Sequence, residues 1–152
     1  MEYTRETGEY ALSTDKTRLD MVALHHFLSV ESYWAKGIPL ATVERAVAHS
    51  LCFGLYYRGT FAGFARIISD MTSFAYLCDV FVLPEHRGRG LSKWMMQCIL
   101  EHPDLQGLRR MMLATRDAHG LYAQFGFKPL DAPEPFMQLH HPDVYRSAEP
   151  QP

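Results

Sequence analysis

The chain has no run approaching the roughly 20 consecutive apolar residues that a helix needs to cross a bilayer, so no membrane partner is expected. Cysteine is scarce. Cys52, Cys78 and Cys98 are an odd number without C-x-x-C spacing, each set among apolar residues, which argues against a disulfide framework or a zinc ribbon. The pairs His25-His26 and His140-His141 are adjacent rather than helically spaced, so they do not aim at one ion and no metal is expected. An excess of positive charge is missing as well. With 15 Lys and Arg against 17 Asp and Glu, the formal net charge of -2 offers no cationic face for a phosphate backbone, and nucleic acid is not expected. Residues 1–10 carry Glu2, Arg5, Glu6 and Glu9 but no apolar stretch of the secretory kind, which makes the cytoplasm the expected location.

What is present is an ordinary globular composition, 47% hydrophobic and 21% charged over 152 residues, the size of one domain. A single domain over 1–152 is expected, with loose ends at about 1–9 and 146–152. Tyr10–Ser13 reads as a first strand. Asp15 then caps a helix through Leu19, Val22, Leu24, Phe27 and Leu28, and Pro39 opens a second one through Val43 and Val47. The aromatic and β-branched runs 52–57 and 61–68 read as a hairpin, and 74–83 as a central strand broken only by Asp79. A helix follows Gly90, with Met95 and Met96 as core packing. The remainder reads as a strand over 108–114, a short helix over 118–125 and a last pair of strands at 127–130 and 136–139. The order predicts an α/β (α+β) fold, a mixed central sheet flanked by helices.

The most informative segment is LCDVFVLPEHRGRGLSKW, residues 77–94, where a buried strand meets a basic Gly-rich turn that opens a helix. Gly88 and Gly90 permit a tight turn and close approach, the first helical amides point outward unpaired, and Arg87 and Arg89 add charge, so the segment suits an anion. Taken alone, it also suits a solvated surface turn. Neither the P-loop nor the full dinucleotide-binding glycine pattern is present.

RGRGLS resembles the coenzyme A signature of the GNAT superfamily of acyl-CoA N-acetyltransferases. Arg87 and Gly90 match it, and Ser92 stands where Gly or Ala is usual. ATRDAHGLYAQFGF, residues 114–127, resembles the same family's later motif through Tyr122, Gly126 and Phe127, with Thr115 in place of the usual Asn. The resemblance implies a GNAT-like fold and acetyl-CoA (coenzyme A as co-substrate). It places the amides of Phe81 and Val82 near the acyl-pantetheine and Arg87, Gly88, Arg89, Gly90, Leu91 and Ser92 on the pyrophosphate. It also implies Tyr122 as the acid that protonates the leaving thiolate, where the motif-free reading is a core tyrosine.

Asp79 is the acidic residue inside the central strand, and LCDVFV resembles a strand of polyamine acetyltransferases in the same superfamily, with Cys78 replacing an acid. A buried carboxylate must be paired, hydrogen-bonded or raised in pKa. Asp79 is therefore a base, a cation anchor or a structural partner of Arg66 or Arg110. Tyr33 and Trp34 either line the acceptor pocket, which the family's first helical region borders, or pack in the core. His119, one turn before Tyr122, shares its face or is simply solvated. The expected activity is transfer of acetyl to a small-molecule primary amine by direct attack, a small aliphatic or aromatic amine, polyamines included, being suited better than an anionic substrate. A homodimer is compatible with it. The competing readings are a non-catalytic acyl-CoA sensor and a tRNA-directed acetyltransferase, the latter disfavoured by charge.

Overall fold

Arg58 and Gly59 both adopt positive φ, 48° and 84°, as the central residues of a tight hairpin turn must. They join β3 (Leu51–Tyr57) to β4 (Thr60–Ser69), and the other strands build outward from this hairpin. The computed structural model describes residues 2–146. Its sheet has six strands in chain order: β1 (Thr4–Thr7), β2 (Tyr10–Ser13), β3, β4, β5 (Phe74–Val82) and β6 (Arg110–Leu113). Pairing is antiparallel as far as β5, and β6 then lies parallel to β5. Parallel neighbours need a crossover, which α3 (Leu91–Leu100) supplies. The expected mixed sheet with flanking helices is what forms.

Alternation along β3 shows why the strands read as nearly continuous apolar runs. Phe53 and Leu55 enter a core with Met95, Met96 and Ile99 of α3, whereas Cys52 and Tyr56 enter one with Leu24, Val43 and Val47. Those last three come from α1 (Met21–His26) and α2 (Leu40–Ala48), so both sheet faces are covered. Met95, Met96 and Ile99 are fully enclosed, each contributing roughly 1.5–3 kcal/mol by burial.

The alternation breaks in β5. Asp79 takes left-handed geometry (φ 54°) where the β4–β5 register shifts. Before this bulge Ala75 and Leu77 face α3; after it Phe81 faces α1 and α2 instead. One inserted residue exchanges the faces of everything that follows it.

The segment 1–9 is not loose throughout, because Thr4–Thr7 pairs with β2 in full register. Asp15 caps only a 3-10 turn, Lys16–Arg18, and Asp20 caps α1 by accepting from the Ala23 N–H at 3.0 Å. The short fourth helix, α4, spans His119–Ala123, and β6 is trimmed to four residues. Residues 127–130 and 136–139 form no strands. Pro129, Pro133 and Pro135 remove ladder donors there, and Met137 and Leu139 stay exposed. The tail expected to be loose lies, beyond Arg146, outside the described residues.

Candidate active site

β6 accompanies β5 only from Phe74 opposite Arg110 to Leu77 opposite Leu113, while β5 runs on to Val82. From Cys78 onward β5 therefore has β4 on one side and, among the described residues, no strand on the other, and a wedge opens. The Leu83 N–H donates to the Ala62 carbonyl at 2.8 Å. Two-residue alternation of an antiparallel ladder then turns the Phe81 amide toward β4 and the Val82 amide toward the wedge. The Val82 carbonyl confirms that direction by accepting from Arg87 Nε at 2.8 Å. Of the two amides singled out from the sequence, only that of Val82 is left for a ligand, because β4 engages the other.

At the mouth of the wedge Gly88 and Gly90 have φ of 78° and 73°, a region costly for any other residue. Trp94 is the first residue of α3 whose N–H finds a carbonyl, that of Gly90 at 3.1 Å. The amides of residues 88–93 have no acceptor among the described residues, and Arg89 and Ser92 have no side-chain partner there. Unpaired amides at the positive end of a ten-residue helix make an anion cradle. Arg87 is used differently from Arg89, since its bond to Val82 braces the turn. A second brace joins His86 Nδ1 to Tyr10 Oη at 2.9 Å.

The opposite wall is built by long-range contacts. After α1 the helix widens to π geometry over Phe27–Glu31, a departure frequent at functional sites. Phe27 thereby stacks on Phe81, ring centres 3.8 Å apart. Ser32, buried, holds the next turn by donating to the Leu28 carbonyl (2.6 Å) and accepting from the Ala35 N–H (3.1 Å). Tyr33 and Trp34 then reach across. Trp34 Nε1 donates to Asp79 Oδ1 at 2.8 Å, and the Arg116 backbone N–H donates to Tyr33 Oη at 3.0 Å.

Asp79 Oδ2 accepts from Arg66 Nε at 2.8 Å, and Arg66 Nη1 donates to Ser50 Oγ at 3.0 Å. Both carboxylate oxygens are thus engaged. Of the two arginines expected as partners, Arg66 is the one found; the Arg110 guanidinium lies over the Phe136 ring at 4.6 Å. Burial opposes the Arg66 charge, yet Asp79 beside it holds the Arg66 pKa above its ordinary value.

Tyr122, on α4, is 8% exposed and packs edge-on against Phe127. Burial first, then the neighbouring Tyr33 and Asp117, push its phenol up to about 12, so it keeps its proton at neutral pH. Thr115 Oγ1 accepts from the Ala118 N–H at 3.1 Å and so stabilises the turn into α4. His119 is exposed with no partner among the described residues and does not join the group. The structure therefore joins Tyr33, Trp34 and Asp79 by direct contacts, adds Arg116, which the sequence did not single out, and leaves Tyr122 on α4 within electrostatic reach of Tyr33. Nothing local links Arg116 to Tyr33 across a separation of 83 residues. Among the described residues no three His, Cys, Asp or Glu side chains are grouped to hold a metal, and no helix is long and apolar enough to cross a membrane.

The geometry has close counterparts. The family described as acetyltransferase (GNAT) matches residues 17–127. A crystal structure from Xanthomonas campestris pv. campestris, classed as a GNAT-family acetyltransferase, is 54% identical with a TM-score of 0.89, covering 92% of this chain and 99% of that one. A Gibberella zeae protein assigned as an acetyltransferase is 37% identical over 77% of each chain. An acetyltransferase of Clostridium acetobutylicum solved with acetyl-CoA shares the fold at 14% identity and a TM-score of 0.58, covering 92% of this chain and 96% of that one. These matches set the split mixed sheet and its cradle among the acetyltransferases. The chain belongs to the GNAT family of acetyltransferases, which use acetyl-CoA.

Proposed function

We propose that this enzyme transfers acetyl from acetyl-CoA to a primary amine of a small molecule by direct attack in the β5–β6 wedge. The observation that carries the reading is the convergence on one cleft of an unpaired strand amide, an anion cradle and a buried neutral phenol. Bound acetyl-CoA supplies a thioester as acyl donor and a pyrophosphate as anchor. The amides of Gly88, Arg89, Gly90, Leu91 and Ser92 hold the pyrophosphate, with the Arg89 guanidinium and Ser92 hydroxyl beside them, while Arg87 shapes the turn. The Val82 amide holds the acyl-pantetheine, and Phe81, stacked on Phe27, forms an apolar floor. Tyr33 and Trp34 form the wall against which the acceptor lies.

An amine of pKa near ~10.4 must lose a proton before it attacks. Asp79 is poorly placed to take it, since Arg66 and Trp34 occupy both oxygens. We assign Asp79 a positioning role instead and give the proton to water. Tyr122 retains a proton for the departing thiolate, and the remaining catalysis is orientation.

Tyr122→Phe tests this directly. Turnover should fall by about 10²-fold or more, the usual weight of a general acid, with acetyl-CoA affinity unchanged by calorimetry. Parallel loss of both, or loss of folding, would support a purely structural tyrosine. In the cradle, Gly90→Val puts a branched residue at φ 73° and should remove acetyl-CoA binding from a folded protein; undiminished affinity would refute the phosphate assignment.

A further inference from the structure

The two walls of the wedge differ in charge. On β5 the Asp79 carboxylate is neutralised by Arg66 and hydrogen-bonded by Trp34, so it offers no free anion to a cationic acceptor. Across from it, the Arg116 guanidinium rests 3.8 Å above the Tyr33 ring. No carboxylate lies within ion-pairing distance of Arg116 among the described residues, and none of its side-chain N–H groups has an acceptor there. Tyr33 in turn packs edge-on against Trp34, ring centres 5.0 Å apart, and the Trp34 indole holds Asp79, so the guanidinium is tied through this aromatic pair to the β5 bulge. Asp117, next to Arg116 in the chain, is exposed and forms no ion pair with it.

A planar guanidinium stacked on an aromatic face is already restricted before any ligand arrives. Its fork of donors matches an oxyanion in two-point geometry, and little side-chain entropy remains to be lost on binding. We propose that Arg116 binds an oxyanion of the acceptor, so that the substrate is an amine also carrying a carboxylate or a phosphate monoester. This rests on the acetyl-transfer reading above and narrows its substrate class. It departs from the expectation that a small aliphatic or aromatic amine fits better than an anionic substrate, because the Asp79 carboxylate is paired with Arg66.

The test is a coenzyme A release assay with the full chain, acetyl-CoA and matched amines. Free amino acids are compared with their amides, phosphoethanolamine with ethanolamine, and putrescine represents the polyamines. At least one oxyanion-bearing amine should exceed its neutral partner tenfold or more in kcat/KM, the carboxylate and phosphate pairs showing which oxyanion is preferred. Arg116→Gln should erase that preference through KM, while acetyl-CoA affinity by calorimetry stays unchanged. The backbone N–H that holds Tyr33 survives the substitution, so folding is retained. Equal or better use of the neutral or polyamine acceptors, a preference that persists in Arg116→Gln, or release with none of the panel would each overturn the assignment. Failure of acetyl-CoA to bind the wild-type chain would instead overturn the acetyl-transfer reading on which it rests.

Discussion

Replacing Asp79 tests how the two halves of the site are held in register. Its side chain is 11% exposed and that of Arg66 16% exposed, so their ion pair is largely withdrawn from water. Asp79→Ala removes a charge-assisted bond of about 1.5–3 kcal/mol and an indole bond of about 0.5–1.5 kcal/mol. It also strands the Arg66 charge and leaves a Cβ-bearing residue at φ 54°. A total destabilisation of roughly 3–5 kcal/mol is expected, within the range for breaking buried pairs. Asn keeps one acceptor oxygen and tolerates left-handed geometry, so Asp79→Asn should lose only about 1–2 kcal/mol. The backbone also makes an ordering prediction. Asp79→Gly loses the same bonds as Ala but relieves the positive φ, and should be roughly 1 kcal/mol more stable than Asp79→Ala. Urea unfolding at constant m-value reads all three variants. A loss below 1 kcal/mol for Ala, or Gly no better than Ala, would refute the pairing and bulge argument. Kinetically, Asp79→Asn should raise the acceptor KM more than it lowers kcat, since Trp34 loosens; a vanished acidic limb at saturating amine would show that Asp79 is the base after all.

A Cβ at Gly54 would overlap the Tyr56 hydroxyl and approach Tyr56 Cζ to 2.8 Å, so Gly54→Ala should destabilise by roughly 1–3 kcal/mol in thermal or urea unfolding. The Tyr56 hydroxyl is itself buried and has no hydrogen-bond partner among the described residues; Tyr56→Phe should raise stability by about 1 kcal/mol, and a loss of that size would mean that the hydroxyl is hydrogen-bonded. Burial pushes Tyr56 and Tyr122 up to about 12. Because both folded pKa values are raised above the phenol value near ~10, the stability they contribute is present below pH ~10 and lost as pH rises toward ~12, on the order of 3 kcal/mol each. Tyr3 and Tyr76 are also raised by burial, so absorbance titration should show at least two late phenols alongside falling urea midpoints, whereas a single ionisation step near ~10 with flat stability would contradict the burial of Tyr56 and Tyr122.

The cradle was legible because it is local. Strand, glycine turn and helix follow one another in RGRGLS, and left-handed φ at Gly88 and Gly90 is written in the residue type itself. The hairpin at Arg58-Gly59 and the phenol on α4 were legible for the same reason. Polar Thr4–Thr7 carried no apolar alternation, since its pairing energy comes from the β2 ladder while its own side chains remain exposed. In 127–139 apolar residues suggested strands, but a strand needs donors and a partner, and prolines remove the first.

Asp79 marks the boundary between the two kinds of information. From the sequence it was an acid in an apolar strand, with a base, an anchor and a structural partner all open. Only the fold supplies its neighbours, because they arrive from elsewhere: Trp34 from 45 residues away, and Arg66 from the adjacent strand. The same holds for Arg116, whose charge is ordinary in the chain and becomes informative only when Tyr33 lies beneath it and no carboxylate among the described residues pairs with it. Residue types and short-range geometry determined the anion cradle at the start of α3; the surroundings of Asp79 and Arg116 were decided by tertiary structure, since electrostatic compensation is a property of neighbours in space.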